Sequence, residues 1–292
     1  MSVDFAAFLE TGWNDHAADA RAVLERMPAG LALLSKEAQI APLTGLLTHV
    51  AGEHLGEWEH GLRFLDSLAA LSLLTAGGEA SQVIRRSRAV LELGARPEAS
   101  VEHFAVSDRI RVLATAAAAL SGRGRTAEAE KRFLESLRLA SSGLPAGDPA
   151  IRALAVTGNN LAAVLEEKIM RTPAEVSLMI LAAETARKFW EQAGTWLEVE
   201  RAEYRLAMTF LAAEKLAEAR SHAQTCLVIV EANAGLPIEL FSAHEARART
   251  ARAEGDDVGF KQAREQAREA FARMNETGQW WSREALQKLE KL

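Results

Sequence analysis

Three histidines and three glutamates lie within the stretch "HVAGEHLGEWEHG", which runs from residue 49 to residue 61. Imidazole and carboxylate groups bind zinc, and a helix commonly supplies two such ligands four residues apart. His49 and Glu53 have that spacing, but His49 and His54 are five residues apart, which separates them by about 140° around an α-helix. We therefore expect exposed residues at a helical hairpin junction rather than a metal site. A metal-dependent enzyme that uses residues 49–60 stays an alternative.

Other catalytic signals in the chain are weaker. The sequence contains neither a phosphate-binding loop motif nor a nucleophile-elbow motif. Cys226 lies in the apolar stretch "HAQTCLVIV", which predicts a buried structural thiol, although His222 one turn earlier leaves a nucleophile as the alternative. The stretch "SGRGR", Ser121 to Arg125, is predicted to be a solvated turn, with anion binding as its alternative. We expect no enzymatic activity and no cofactor.

Composition limits the classes of partner and compartment. With 49% hydrophobic residues over 292 positions the chain can bury a large core, and its net charge of −6 argues against a nucleic-acid partner. The single cysteine excludes an internal disulfide and fits a reducing compartment. The N-terminal stretch lacks the basic and apolar regions of a secretory signal, and no apolar run reaches the roughly 18–20 residues of a membrane span. These features predict a cytoplasmic protein without a membrane partner.

Local patterns predict helices throughout the chain. Alanine, leucine, glutamate and arginine dominate, and runs of β-branched residues with a period of two are absent. Thr172, Pro173 and Glu175 have the spacing of a helix start with a capping box, and Asp148 before Pro149 predicts another start. The predicted fold class is all-α.

The predicted turns recur along the chain at a regular spacing. Gly78, Gly124, Glu214 and Gly255 each lie between two apolar periodic segments, and the spacing corresponds to about 41 to 46 residues per unit. Small and apolar residues follow these turns at steps of three and four. This period is typical of stacked helical hairpins.

Two of these units and one further segment carry small, aromatic and turn residues at positions where a known family of helical repeats has them. The matching positions are Ala117, Leu120, Gly124, Ala129 and Phe133 in one unit, Leu206, Ala207, Phe210, Ala219, Ala223 and Cys226 in another, and the segment "GNNLAAVLEE". Over roughly residues 57–274 the chain resembles the tetratricopeptide repeat (TPR) family in its longer, kinesin-light-chain-like form.

The resemblance implies a right-handed α-solenoid of about six antiparallel helical hairpins with a C-terminal cap helix. The expected pairs span residues 14–55, 57–93, 104–141, 149–194, 195–234 and 237–274. Residues 1–56 are predicted to form an irregular cap or a degenerate repeat, because Pro28 and Pro42 interrupt their helices. Residues 57–274 would form the array, and residues 275–292 the capping segment, with its helix after Gly278.

In such repeats the first helix of each pair lines a concave groove, and its register identifies the side chains that face a ligand. These positions are Arg111, Asn159, Arg201, Tyr204, Met208, Glu245, Arg249 and Arg252. An asparagine can bond to an extended peptide backbone, and an arginine presents a planar fork to a carboxylate. The predicted ligand is an acidic segment or a C-terminal carboxylate; a solvated helix face is the alternative reading.

The resemblance favours a non-enzymatic scaffold or adaptor that binds a peptide segment of a protein partner. A regulatory sensor, whose superhelix closes on a signal peptide or a small molecule, is the second hypothesis. Trp280 and Trp281 are adjacent, so a helix cannot turn both toward one core. They predict a homodimer contact at this end of the chain, with packing of both against the last repeat as the alternative.

Overall fold

The structure is a computed structural model that describes residues 4–233 and 235–292. The first three residues of the N-terminal stretch, and Ala234 in the predicted pair 195–234, lie outside the described residues. A 3₁₀ turn at Glu37–Gln39 precedes the third α-helix, and a π-helix at His49–Leu55 follows it. The α-helices are α1 Phe5–Asp15, α2 Ala20–Ala32, α3 Ile40–Thr48, α4 Trp58–Ala69, α5 Glu79–Ala95, α6 Val106–Gly122, α7 Thr126–Ala140, α8 Pro149–Glu166, α9 Pro173–Ala193, α10 Trp196–Ala212, α11 Leu216–Ala232, α12 Pro237–Glu254, α13 Asp257–Ala272 and α14 Glu276–Glu290.

The all-α prediction is confirmed, since the described residues contain helices and no strand. Helices that follow one another in the chain pack together, as α6 packs on α7, α10 on α11 and α12 on α13. Residues 14–55 do not form a simple pair, because they contain part of α1 together with α2, α3 and the π-helix. None of the described helices combines the length and the apolar character that crossing a bilayer requires.

The predicted helix starts follow from local capping. Thr172 accepts a hydrogen bond from the backbone N–H of Glu175, and the Glu175 carboxylate accepts one from the backbone of Thr172. Asp148 likewise caps the start of α8 through the backbone N–H of Ala150, at 2.8 Å. These contacts satisfy N–H groups that have no partner within the helix. The last helix was predicted to follow Gly278, but it begins earlier, at Glu276, with Asn275 as its N-cap.

Three predicted turn residues share one backbone geometry. Gly124, Glu214 and Gly255 all have left-handed φ angles, of 71°, 59° and 76°. In each turn the N–H of the following residue bonds to a carbonyl five positions earlier, at 2.9–3.0 Å. This is the Schellman arrangement that ends a helix and reverses the chain. The pairs α6/α7, α10/α11 and α12/α13 therefore turn in the same way, as repeated hairpins would.

The chain packs as two compact units, residues 1–153 and residues 154–292, with the boundary inside α8. In the first unit Met27, Leu43, Leu65 and their neighbours form a buried core between α2, α3, α4 and the π-helix. In the second unit α12, α13 and α14 share a core around Phe241, with smaller clusters between α10, α11 and α12. The predicted boundaries at residues 56 and 274 stay predictions.

The π-helix corrects the expected geometry of His49 and His54. Hydrogen bonds in a π-helix join residues five positions apart, so such residues approach each other along one face. The Nε2 atoms of these two histidines lie 3.0 Å apart. The predicted separation of about 140° is wrong because it assumed α-helical geometry. Both side chains are also half-buried rather than exposed.

Candidate functional site

The predicted groove residues of the second unit lie mainly on α10 and α12. Arg201, Tyr204 and Met208 follow one another along α10 at steps of three and four, which places them on one face. Arg249 and Arg252 lie three residues apart on α12, which also places them on one face. The side chains of Arg201 and Arg252 are exposed, and the other three are half-buried. We refer to these five residues together as the α10–α12 face.

An ion pair between Arg201 and Glu239 links the two helices. The guanidinium donates from Nη2 to Oε1 of Glu239 at 2.5 Å and from Nε to the same oxygen at 3.2 Å. The Glu239 side chain is 4% exposed, whereas that of Arg201 is 57% exposed. A buried carboxylate thus holds an arginine whose side chain is more than half exposed.

A second bridge between the helices centres on Glu245. The hydroxyl of Tyr204 donates to Oε2 of Glu245 at 3.2 Å, and Nε of Arg249 donates to Oε1 at 2.8 Å. Burial raises the pKa of Tyr204 well above its ordinary value, so the phenol stays a neutral donor. Arg252 pairs with Asp257 at 3.2 Å and lies over the ring of Phe260.

The polar network also includes Glu166, the last residue of α8. The carboxylate of Glu166 accepts hydrogen bonds from Arg205 and from Thr209, both on α10. Burial raises the pKa of Glu166 despite these two donors. Earlier on α8, Nδ2 of Asn159 donates to Oδ1 of Asn160 at 3.3 Å.

Met208 contributes packing rather than polar contacts to the α10–α12 face. It packs against the buried alanines Ala207, Ala223 and Ala246, which bring α10, α11 and α12 close together. Small side chains at such positions let helix backbones approach one another. Met208 therefore provides the apolar part of an otherwise polar face.

Arg111 belongs to the first unit, where it lies on α6. Its Nη1 donates to Oδ1 of Asp108 at 3.2 Å, and the same oxygen accepts a hydrogen bond from Arg86 at 3.0 Å. These two arginines and Val90 border a cleft of about 220 Å³. The carboxylate of Asp108 thus serves two cations within this unit.

Each predicted groove arginine has a carboxylate partner within 3.2 Å. The three arginines of the α10–α12 face are therefore all paired, and an acidic ligand would share them with Glu239, Glu245 and Asp257. Sequence reasoning missed Glu239, Glu166 and Arg205. Glu239 lies 38 residues from its partner Arg201, and Glu166 lies 39 residues from Arg205 and 43 residues from Thr209, which is close to the predicted spacing between turns. Acidic and basic residues offset by one repeat were the signal that could have found them.

Behind this face, Cys226 is fully buried, as predicted, and its thiol donates to Oε1 of Glu200 at 2.8 Å. Burial raises the pKa of the thiol far above its usual range, which opposes a nucleophilic role. His222 contacts Glu203 instead, through Nδ1 at 2.6 Å. Burial acts to raise the pKa of Glu203, but hydrogen bonds from His222 and Arg187 hold it below its usual value.

The stretch from Ser121 to Arg125 differs in part from the predicted solvated turn. Ser121 is buried, and both arginines of the stretch bind backbone carbonyls of other segments. Arg123 donates to the carbonyl of His54 at 2.6 Å, and Arg125 donates to that of Gly94 at 2.5 Å. These contacts occupy the cations that an anion would need.

No known protein-family model matches the chain, and no curated protein matches it.

Proposed function

We propose that the chain is a non-enzymatic protein-interaction module whose α10–α12 face binds an extended peptide segment of a partner. In this proposal the helical pairs are TPR-like repeats of a right-handed solenoid, and α8, α10 and α12 are first helices of successive pairs. The shared Schellman geometry of the turns at Gly124, Glu214 and Gly255 supports the repeat assignment.

The observation that carries the proposal is the exposed, anchored guanidinium of Arg201. Its side chain is 57% exposed while two of its nitrogens are held by the buried Glu239. An arginine fixed in this way loses little side-chain entropy when it binds a ligand, and its Nη1 group remains for a further acceptor. A peptide carbonyl, an acidic side chain or a C-terminal carboxylate can supply that acceptor.

The neighbouring groups offer further contacts to an extended peptide segment in this proposal. Tyr204 and Arg249 are oriented by one carboxylate, that of Glu245, and Met208 adds apolar surface beside them. Asn159 on α8 offers an amide for bonds to a peptide backbone. We infer that the partner segment carries at least one acidic group, placed next to Arg201.

Capture from a native lysate, read by mass spectrometry, tests the proposal. Replacing Arg201 by glutamate would set two carboxylates together, so the informative variant is Arg201→Gln combined with Glu239→Gln, which leaves neither charge unpaired. The matched control is Arg220→Gln with Glu254→Gln, an ion pair that joins α11 to α12 elsewhere in the unit.

We expect partners that the wild type and the control retain and the Arg201/Glu239 variant loses, with all three proteins equally stable in thermal unfolding. Partners that all three retain would place the binding surface elsewhere and contradict the proposed face. The proposed face would also be contradicted if the control variant lost the partners to an equal extent, because the loss would then not be specific to the Arg201–Glu239 pair.

We also propose that two copies of the chain associate through Trp280 and Trp281. These indoles are 64% and 67% exposed, and their rings meet edge to face with centroids 4.7 Å apart. Trp281 also borders a mainly apolar cleft of about 540 Å³ with Leu236 and Met274. Adjacent exposed indoles beside such a cleft are typical of an interface.

A further inference from the structure

Three histidines from separate parts of the first unit meet at one point. His16 follows the end of α1, whereas His49 and His54 lie in the π-helix. One ring nitrogen of each lies within 4.8 Å of those of the other two. The ring centroids are 4.7–5.0 Å apart and the ring planes meet at 61–88°, so the rings present edges to one another rather than stacking.

Hydrogen bonds fix the orientation of two of these rings. Nδ1 of His16 lies 2.6 Å from the carbonyl oxygen of Trp13, and Nδ1 of His49 lies 3.0 Å from Oε2 of Glu53. A carbonyl and a carboxylate can only accept, so Nδ1 of each ring carries a proton, and in the neutral ring the lone pair is on Nε2. Metal-binding histidines are commonly held by a carbonyl or a carboxylate in this way.

We propose that His16, His49 and His54 bind one divalent transition-metal ion of the zinc class through their ring nitrogens. Imidazole is a preferred ligand of zinc, copper and nickel but not of magnesium or calcium. Three imidazoles leave a fourth position of a tetrahedral ion for water or for a ligand from outside. Glu53 is a positioning residue that holds the ring of His49.

The distances suit such an ion after a small adjustment. With metal–nitrogen bonds of about 2.0–2.1 Å, a tetrahedral ion separates its ligand atoms by about 3.3–3.4 Å. The Nε2 atoms of His49 and His54 lie 3.0 Å apart, close to that value. The widest pair is within 4.8 Å, so closing the triangle moves a ring by at most about 1.5 Å. A change in side-chain torsion of His16, which lies at a helix end, provides that movement.

The fold holds the π-helix that brings two of the ligands together. The end of α6 packs so closely that a Cβ on Gly122 would lie 2.7 Å from the backbone oxygen of Glu53. Arg123 donates to the carbonyl of His54 at 2.6 Å, which fixes the C-terminal end of this segment. Gly56 then ends the π-helix in a left-handed conformation, with φ 68°. Short π-helical segments are frequent at functional sites.

The competing explanation is a hydrogen bond from His54 to His49 with no role for a metal. Metal titration of the full-length chain, prepared without an affinity tag and treated with a chelator, separates the two. Zn²⁺ binding is followed by calorimetry. Co²⁺ binding is followed by visible absorption, which is intense for a four-coordinate ion and weak for a six-coordinate one. We expect one ion per chain and a four-coordinate Co²⁺ spectrum.

Variants connect the binding to the three histidines. We expect His16→Gln and His54→Gln each to weaken Zn²⁺ binding at least tenfold, and Glu53→Gln to weaken it about tenfold through the orientation of His49. The control is His60→Gln, a histidine of the same sequence stretch that is not in the cluster. Its affinity should equal that of the wild type.

The proposal is overturned if the wild type binds no Zn²⁺, or if His16→Gln and His54→Gln bind it as tightly as the wild type does. Circular dichroism of each variant establishes that it is folded. Should His54→Gln fail to fold, His16→Gln decides the outcome alone, because His16 lies at a helix end outside the π-helix.

Discussion

The thiol of Cys226 and the carboxyl group of Glu200 form a buried pair between α10 and α11, with Sγ 2.8 Å from Oε1. Burial raises the pKa of Glu200 to about 8, and the nearby carboxylate of Glu239 acts in the same direction. Glu200 is therefore protonated in the folded chain at pH 7, whereas in the unfolded chain it is ionised. A neutral acid beside a neutral thiol avoids a buried, unpaired charge.

This pair makes stability fall as the pH rises. Because the folded state holds a proton that the unfolded state releases above pH 4.5, the free energy of unfolding decreases from there until the pH passes about 8. Between about pH 6.5 and pH 8 the decrease is on the order of 1–2 kcal/mol. In Glu200→Gln this decrease should be lost. Urea unfolding of both proteins across that range checks the prediction, and parallel pH profiles would contradict it.

His244 on α12 produces a dependence of the opposite sign. Burial, with Arg247 and Arg273 nearby, lowers its pKa from 6.5 to about 4. The unfolded chain therefore takes up a proton that the folded chain excludes, and the free energy of unfolding falls as the pH drops below 6.5. Down to about pH 5 we expect a loss on the order of 1–2 kcal/mol. The variant His244→Leu should show a flatter profile in this window, as measured by urea unfolding; an unchanged slope would assign the acid sensitivity to other groups.

The left-handed turn at Glu214 is strained in a way that its equivalents are not. The corresponding positions are glycines, Gly124 and Gly255, with φ of 71° and 76°. Glu214 has a Cβ and still adopts a φ of 59°. We expect Glu214→Gly to raise the free energy of unfolding by about 1 kcal/mol, because the penalty on a left-handed residue with a Cβ is removed.

The matched opposite change is Gly255→Ala. A Cβ at Gly255 has no atom within 4 Å, so its effect is conformational and not steric. It should lower the free energy of unfolding by about 1 kcal/mol. Thermal unfolding of both variants checks the pair. Shifts of the same sign would show that the three turns are not equivalent.

Close packing of Trp58 on Gly94 joins α4 to α5. A Cβ added to Gly94 would lie 2.3 Å from Cε3 of the indole. Gly94→Ala should therefore destabilise the chain by about 1–3 kcal/mol, although alanine is the better helix former. Gly45→Ala in α3 is the control, since its Cβ has no atom within 4 Å. It should stabilise by about 0.5–1 kcal/mol. A rise in stability for Gly94→Ala in chemical unfolding would mean that the indole moves aside freely.

Most of the helical architecture could be predicted from the sequence because its determinants are local. Helix-forming residues, the Thr172 capping box and the turns at Gly124, Glu214 and Gly255 each act over a few residues. The predicted pairs from residue 57 onward agree with the helix bounds for this reason. Residues 14–55 were not predictable as a pair, since their helices are broken by a 3₁₀ turn and a π-helix that no local pattern indicated.

The side-chain clusters depend on packing between distant segments, which periodicity does not encode. The angle between His49 and His54 was wrong because the π-helix changes the register, and His16 joins them from 33 residues earlier in the chain. That Arg201, Tyr204 and Met208 share one face of α10 was predictable from helical register, whereas their contact with a ligand stays a prediction. Pairing with buried carboxylates such as Glu239 was not predictable, because it needs the alignment of neighbouring helices.

The exposed indoles of Trp280 and Trp281 lead to a prediction about self-association. If their edge-to-face pair and the adjoining cleft form a contact between two copies, Trp281→Ser removes the ring that borders the cleft and weakens the dimer. Sedimentation velocity over a hundredfold range of concentration should show a dimer for the wild type and mainly monomer for the variant. Val258→Ser on α13 is the control, because it removes another strongly exposed apolar side chain of the same unit. A wild type that stays monomeric at every concentration would contradict the contact, and equal weakening by Val258→Ser would show that it is not specific to the indoles.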